Sequence, residues 1–201
     1  RDQRLSRGLE MCIRDSAHAK NFKNIKGIAL AKSEIIHNTQ ANGHVILNAD
    51  DRFFKFHQNI ALKKNLNVIS FGIKNHKSDM KLIKIKKNTK NFQITIEMNN
   101  LRKNFTVLNN FQSNIYNTLS ALAIISVYVD IFQLDERFFL NFKTPSGRGD
   151  LLKVKIKKKT INLIDETYNS NPLSLKSAIL NYDKIDSKGS KKYLLIGDML
   201  E

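Results

Sequence analysis

The stretch IDETYNSNP, residues 164–172, joins the end of a predicted strand to the start of a predicted helix. The run before it, residues 160–164, is short, apolar and β-branched, which favours a buried strand, and residues 173–182 have helical periodicity. Asn171 can accept from the free N–H groups of a first turn, and proline at the first helical position gives up no hydrogen bond. Helix starts at the carboxyl ends of strands bind phosphate-bearing ligands in open α/β sheets. The stretch therefore predicts an α/β fold with a ligand-facing turn.

Length and composition are those of a soluble globular protein. The 201 residues, 41% of them hydrophobic, suffice for one large domain or two small ones with packed cores. There is no apolar run of membrane-spanning length and no signal-peptide pattern, so we expect a cytoplasmic protein without membrane insertion. The single cysteine, Cys12, excludes an internal disulfide.

The net charge of +16 raises the possibility of nucleic-acid binding, because clustered Lys and Arg neutralise phosphates. Lysines are scattered through the predicted strands and helices, however, and residues 157–159 form the only lysine triple. Net charge is an argument about solubility and association, not about fold. We interpret the surface as basic and solvated, with no nucleic-acid partner, and keep a basic nucleic-acid-binding module as the rival function.

The first half of the chain predicts a parallel βαβ unit. Residues 1–16 show no periodicity that continues into the next segment, and we treat them as a non-native or artefactual tail. A helix is predicted at residues 24–37. Strands at 44–49 and 67–73 flank a second helix, which Asp50 and Asp51 are expected to cap and which runs to about Lys64. Short connections between strand, helix and strand imply parallel pairing.

The middle of the chain changes from parallel to antiparallel signals. Alternating runs at 81–86, 92–97 and 102–108 predict a meander with one solvated face. After the meander, the pattern predicts a largely apolar helix at 111–130, capped by Ser113 or Asn114, and a shorter helix at 135–142.

Residues 144–149, TPSGRG, break the periodicity and predict a domain boundary near residue 147. Beyond it lie predicted strands at 151–156 and 160–164, the ligand-facing turn and its helix, and residues 193–196 predict another buried strand. The chain stops where a further helix is expected, so we expect this second domain to be incomplete.

Lys32 occupies a position on the apolar stripe of the first predicted helix, where a charged residue is unusual. Its stem could pack while the ammonium reaches water. Alternatively, it could sit in a partly desolvated site, where a lowered pKa makes the amine reactive. The pattern leaves both interpretations open.

Seven stretches, taken together and in order, resemble the Mur ligase family. They are AHAKNF (17–22), IALAKSEII (28–36), VILNADD (45–51), SNIYNTLSALA (113–123), PSGRGD (145–150), LIDETYNSNPLSLKSAI (163–179) and IGDMLE (196–201). The resemblance covers about residues 17–201, and TYNSNP together with GDMLE is similar to the MurF type in particular.

The resemblance implies a fold and an activity. Residues 17–147 would be the later part of a central P-loop-type ATPase domain, with a mixed sheet and a small antiparallel sheet, and 148–201 the start of a Rossmann-like C-terminal domain. The implied enzyme, expected to be a monomer, uses ATP and Mg²⁺ to join D-alanyl-D-alanine to UDP-N-acetylmuramoyl-tripeptide through an acyl phosphate. An amide ligase of the folylpolyglutamate type is the nearer alternative.

The resemblance also implies site residues. Lys32 matches a catalytic lysine that family members carry as a carbamate, an anion with hard oxygen donors suited to magnesium, and His18 matches a histidine that helps to hold the metal. Asn114 and Asn117 match asparagines beside the adenine, and their i, i+3 spacing puts both on one helix face. Ser113 replaces the histidine usual before the first asparagine, and a plain N-cap at Asn114 remains the alternative.

Further residues are implied to bind the nucleotide from the second domain and the hinge: Arg148, Asp165, Tyr168, Asn169 and Asn171. Glu166 and Thr167 stand where aspartate and serine are more usual in the family. No G-x-x-x-x-G-K-[ST] phosphate loop occurs in the sequence. We therefore expect the 201-residue polypeptide alone to be inactive.

Overall fold

The computed structural model describes residues 25–142, 146–147, 149–157, 159–168, 172–185, 187 and 189–198. The chain divides into two compact units. Lys26–Asn141 belong to the first unit and Phe142–Glu201 to the second.

The first unit alternates helices and strands before it continues as a meander. Its elements are α1 (Ile25–Asn38), β1 (His44–Asn48), α2 (Phe54–Lys63), β2 (Asn67–Gly72), β3 (Met80–Lys87), β4 (Phe92–Met98), β5 (Leu101–Val107), α3 (Gln112–Ile125) and two 3₁₀ turns (Ile131–Gln133 and Phe138–Asn141). The short helix predicted at 135–142 is therefore a single 3₁₀ turn, and the long helix predicted at 111–130 ends at Ile125.

One mixed sheet holds all five strands of this unit in the order β1-β2-β3-β4-β5. The pairs β1–β2 and β2–β3 are parallel, whereas β3–β4 and β4–β5 are antiparallel. The predicted βαβ unit and meander are both present, and the meander extends the parallel strands instead of forming a separate sheet. The predicted α/β class, with a mixed sheet and a small antiparallel sheet, is confirmed.

Side chains of β1 alternate between the two faces of the sheet, so both faces need a covering layer. On one face Val45 and Leu47 pack in a core cluster with residues of α1 and α2. On the other face Ile46 packs against a larger cluster that includes β3, β4, β5 and α3. Members of that cluster such as Ile94 and Leu119 have no solvent exposure. The first unit is thus a three-layer arrangement with a core on each side of the sheet.

The second unit contains a hairpin and a helix in its described residues. β6 (Asp150–Ile156) pairs antiparallel with β7 (Lys159–Asp165), and Lys157, with φ +54°, lies in the turn between them. α4 spans Pro172–Asp183, so Pro172 occupies the first helical position, as its sequence predicts. The small antiparallel sheet of the fold is this hairpin, so it lies in the second unit and not within residues 17–147, where it is expected from the resemblance.

Two predictions about buried strands in the second unit are wrong. The run 160–164 is a strand, but Ile161 and Leu163 keep 47% and 46% of their surface exposed. Residues 193–196 form no strand, and Leu195 is fully exposed. A two-stranded hairpin buries an apolar face only against another layer, and in the described residues of this unit no such layer covers β7. In the part of the chain that the structure describes, no helix has the length and apolarity needed to cross a membrane.

Candidate functional site

Lys32 lies on α1, beside the residues that fasten this helix to the core. Ile28 and Ile36, one turn to either side, are buried, and Lys32 itself is half-buried. The buried ring of His57 on α2 donates from Nε2 to the Ala29 carbonyl at 3.0 Å, which ties α1 to α2. A half-buried stem on a fixed helix suits either interpretation of Lys32: a snorkelling ammonium, or a carbamate offering oxygen donors to a hard cation.

Asn114 and Asn117 lie at the start of α3. Neither Ser113 nor Asn114 is the N-cap, because the helix begins at Gln112 with Phe111 in the cap position and no side-chain cap hydrogen bond. The Asn114 amide instead donates to Asn109 Oδ1 at 2.7 Å. Asn114 is half-buried and Asn117 is exposed one turn later. Asn114 is therefore not the N-cap of α3, and the plain N-cap alternative is wrong.

Asp50 does not cap α2, so that sequence-based prediction is wrong. Its carboxylate accepts the backbone N–H groups of Ile73, Lys74 and Asn75 at 2.6, 3.0 and 2.7 Å. It also accepts the Tyr116 hydroxyl of α3 at 2.7 Å. These donors come from the loop after β2 and from α3.

The same contacts set the charge state of Asp50. Partial burial disfavours the ionised carboxylate, but the hydrogen bonds from Lys74, Tyr116, Ile73 and Asn75 together outweigh it, and the pKa lies below its ordinary value. Asp50 is therefore a carboxylate at neutral pH, held by four donors. Asp51 is not the N-cap either, because Phe53 holds that position; its Oδ1 accepts the Phe53 N–H at 2.7 Å in the turn before α2.

In the second unit, the loop that contains Gly147 and Gly149, called the glycine loop below, contacts the turn after β7. The Gly149 N–H donates to the Asp165 carbonyl at 2.7 Å, and the Tyr168 N–H donates to the Gly147 carbonyl at 3.1 Å. Gly147 has φ +75°, and a Cβ there would lie 2.8 Å from the Tyr168 nitrogen. The structure thus joins two of the predicted motifs, PSGRGD and IDETYNSNP, through backbone contacts within one unit.

Carboxylates and a hydroxyl cluster at this turn. Asp165 Oδ1 accepts the Thr167 hydroxyl at 2.7 Å and its N–H at 3.0 Å, and these two bonds lower the pKa of Asp165. Local desolvation, followed by the charges of Asp165 and Asp150, raises the pKa of Glu166. The Tyr168 ring is two-thirds exposed. An anionic turn with an exposed aromatic ring can stack on a base or accept from ribose hydroxyls.

Four of the predicted site residues lie outside the described residues: His18, Arg148, Asn169 and Asn171. Lys32, Asn114 and Asn117 lie in the first unit, and Asp165 and Tyr168 lie in the second. No group of three His, Cys, Asp or Glu side chains able to hold a metal occurs among the residues that the structure describes. In that part of the chain, Lys32 is the residue that could contribute to the predicted magnesium site.

The sequence-based interpretation missed Asp50 and Tyr116 as partners. They are separated by 66 positions, so no local pattern joins them. The available signal was the position of Asp50 directly after a buried strand, where a carboxylate faces the loops of a sheet edge as readily as the next helix.

Known proteins match both parts of the chain. The Mur ligase middle domain matches residues 15–125. UDP-N-acetylmuramoyl-tripeptide–D-alanyl-D-alanine ligases match along 92% of the chain, at 26% identity for Rickettsia prowazekii and 30% for Buchnera aphidicola from Acyrthosiphon pisum. The chain spans 40% and 39% of the lengths of these two curated relatives.

Solved structures share the fold. MurF from Acinetobacter baumannii superimposes with a TM-score of 0.66 at 20% identity, covering 86% of this chain and 36% of that one. MurF from Thermotoga maritima in complex with ADP gives 0.60 at 20% identity, covering 80% and 35%.

Proposed function

The chain belongs to the Mur ligase family, and on that premise we propose that it forms part of an ATP-dependent ligase joining D-alanyl-D-alanine to UDP-N-acetylmuramoyl-tripeptide. The observation that carries the proposal is the extent of the match. Relatives named for this reaction align with 92% of the chain, including residues beyond the middle domain at 15–125. The proposed protein is a monomeric cytoplasmic enzyme of peptidoglycan synthesis.

The proposed chemistry is activation of a carboxylate. The γ-phosphoryl group of ATP passes to the terminal carboxylate of the tripeptide, and ADP leaves. The amine of the dipeptide then attacks the acyl carbon, an amide bond forms, and inorganic phosphate leaves. Such a reaction depends on placing ATP, the tripeptide carboxylate and the dipeptide amine correctly and on neutralising the charge of the two anions.

Within that reaction we assign the metal contacts to Lys32 and His18 and the adenine contacts to residues of α3. Lys32, as a carbamate, and His18 would hold Mg²⁺, which neutralises charge on the phosphate oxygens. Asn114 and Asn117 would contact the adenine. The half-buried position of Lys32 is compatible with the carbamate role, and Asn114 is not used as the N-cap of α3.

The second unit would contribute the other nucleotide contacts, through Arg148, Asp165, Tyr168, Asn169 and Asn171. We place the division between the two ligase domains at residues 147 and 148, a little after the boundary between the compact units at Asn141 and Phe142. The bonds between the glycine loop and residues 165–168 support a common role for both motifs.

The test is ligation by the full gene product that carries this chain. Purified enzyme is supplied with ATP, Mg²⁺, UDP-N-acetylmuramoyl-tripeptide and D-alanyl-D-alanine, and phosphate release and the pentapeptide product are measured. A parallel reaction offers a folate and glutamate. Product in the first reaction alone supports the proposal, and product in the second alone would replace it with the folylpolyglutamate alternative.

The proposed role of Lys32 has a separate test. Arginine keeps the positive charge but forms no carbamate, so Lys32→Arg should abolish ligation while the protein stays folded. Lys26→Arg, on the exposed side of the same helix, is the matched control and should keep full activity. Activity of Lys32→Arg within about twofold of the unsubstituted enzyme would mean that Lys32 only snorkels.

A further inference from the structure

The first two turns of α3 carry two residues of the proposed adenine site, and the helix begins without a conventional cap. Its N-cap, Phe111, makes no side-chain cap hydrogen bond. A helix start leaves backbone N–H groups without intrahelical partners, so side chains or neighbouring loops normally fix it. Asn109 meets part of this need, since its Oδ1 accepts the Phe111 N–H at 3.2 Å and the Asn114 amide at 2.7 Å.

A second attachment comes from Tyr116, between the two asparagines. Its hydroxyl donates to Asp50 Oδ2 at 2.7 Å. Tyr116 is 6% exposed, and its ring packs edge-on against Phe71 of β2 at a centroid distance of 6.5 Å. Charge-assisted hydrogen bonds of this length in a partly buried setting are among the stronger single side-chain contacts.

Asp50 is itself fixed from several sides. Three consecutive N–H groups after β2, those of Ile73, Lys74 and Asn75, donate to its carboxylate, and the Asn75 amide donates to the Ala49 carbonyl at 3.2 Å. A Cβ at Gly72 would lie 3.3 Å from Asp50 Oδ1, so the chain passes close to the carboxylate. The end of β1, the loop after β2 and helix α3 therefore meet at one carboxylate.

The direction of Tyr116 makes this attachment relevant to Asn114 and Asn117. Residues two apart on a helix do not face each other, whereas residues three apart do. Tyr116 is buried, Asn114 is half-buried and Asn117 is exposed. The Tyr116 hydroxyl thus fixes the buried side of α3 at this point. Without that bond the helix could rotate about its axis, and such a rotation would displace the amides of Asn114 and Asn117.

We propose that the hydrogen bond from Tyr116 to Asp50 positions Asn114 and Asn117 for the nucleotide base. Tyr116 and Asp50 are positioning residues that act through α3, and neither contacts the reacting atoms. The inference rests on the proposed function, because it assumes that the asparagines meet a base. It adds a specificity device for the nucleotide subsite.

Tyr116→Phe in the full gene product tests the proposal. The substitution removes one oxygen and retains the ring and its contact with Phe71, so the protein should fold. Loss of one charge-assisted bond should raise the KM for ATP about tenfold. The kcat and the KM for the dipeptide should stay within about twofold, because the proposed role of Asn114 and Asn117 concerns the nucleotide base alone.

Ser126→Ala is the matched control. Ser126 is the residue after the C-terminal end of α3, and its hydroxyl donates to the Ala123 carbonyl at 2.8 Å. Its loss also removes a helix-associated hydroxyl bond but leaves the first turn intact, so the KM for ATP should not change. Asp50→Asn combined with Tyr116→Phe should raise that KM no further than Asp50→Asn alone, since the Tyr116 hydroxyl acts through the Asp50 carboxylate.

Two kinetic outcomes overturn the proposal. One is a Tyr116→Phe enzyme with an unchanged KM for ATP, whether or not its melting temperature falls. The other is an equal rise in the KM values of all substrates, which indicates general loosening.

Equilibrium binding of ADP to both forms gives a readout without ligation. Weaker ADP binding by the Tyr116→Phe protein, with no ligation by either form, would reject the proposed reaction and keep the positioning role. Absence of ADP binding to the unsubstituted protein would reject both.

Discussion

The two units of this chain contain similar apolar runs but bury them very differently. In the first unit Ile94 and Ile96 of β4 have no exposure, whereas in the second Ile161 and Leu163 of β7 are nearly half exposed. Each of these strands belongs to an antiparallel pair, in which successive side chains point to opposite faces. The difference lies in what covers them: α3 and the 3₁₀ turns pack against the meander, and the described residues of the second unit provide no equivalent layer over the hairpin.

This contrast shows that a strand signal and a core signal are separate pieces of information. β-branched, apolar runs favour extended backbone wherever they occur, and the hydrogen bonds of a hairpin need only one partner strand. Burial needs a second surface, and area removed from water supplies most of the stabilisation. The first unit is therefore expected to hold most of the stability of this chain, and substitutions in the two units can test that expectation.

The largest effect is expected from Leu119→Ala in α3. Leu119 has no exposure and belongs to the larger core cluster. Deleting its branched end leaves a cavity, which should lower the free energy of unfolding of the first unit by about 3 kcal/mol. Hydrogen exchange of the Ile94 and Ile96 amides measures this loss residue by residue. A loss below about 1 kcal/mol would mean that the unit is not stabilised by this core.

Asp50→Asn should have the next largest effect, and a distinct pH dependence. At pH 7 we expect a loss of about 1–2 kcal/mol, because an amide cannot accept all four donors equally well. The pKa of Asp50 is lowered from 3.8 in the folded state. Its stabilisation is therefore complete above 3.8 and is lost as the pH falls through the lower folded value.

The measurement is urea unfolding of both proteins at pH 7 and at a pH below the lowered, folded-state pKa of Asp50. The difference between them should shrink at the acidic pH, where both carry an uncharged group. Asp51→Asn is the control, with a smaller loss at pH 7, since Asp51 accepts a single N–H in its turn. A difference independent of pH would contradict the assigned charge state.

Gly147→Ala should weaken the second unit at its glycine loop. Gly147 has φ +75°, and an added Cβ would lie 2.8 Å from the Tyr168 nitrogen. The left-handed conformation and the clash together should cost about 1–2 kcal/mol. Gly189→Ala is the control, because Gly189 has φ +81° but nothing within 4 Å of the added atom. Faster hydrogen exchange of the Gly149 N–H in Gly147→Ala, but not in Gly189→Ala, would locate the effect at the contact between the glycine loop and residues 165–168.

The smallest effect is expected from Leu163→Ala in β7. The Leu163 side chain is 46% exposed, so its truncation leaves no closed cavity, unlike Leu119→Ala in α3. The free energy of unfolding should therefore fall by about 0.5 kcal/mol. Exchange of the β6 and β7 amides is the readout. A loss equal to that of Leu119→Ala would show that the hairpin face is covered in solution and would remove the contrast between the two units.

Local patterns predicted most of the elements. Periodicity located α1 and the strands β1 to β5, and Pro172 marked the first residue of α4. Patterns did not separate a cap from a tertiary contact: Asp50 and Asn114 both stand near helix starts, yet they bond to Tyr116 and Asn109. A short polar side chain near a helix start can accept from its own turn or reach a neighbouring element, and the local sequence is the same in both cases.

The sequence by itself determined the α/β class, the order of strands and helices and the family of the chain, because these depend on period, turn chemistry and motifs within short windows. Only the tertiary structure decided that the meander continues the parallel strands and that β7 stays exposed. It also decided that one carboxylate joins β1, the loop after β2 and α3. Such contacts depend on which surfaces meet, and residues 66 positions apart leave no common local pattern.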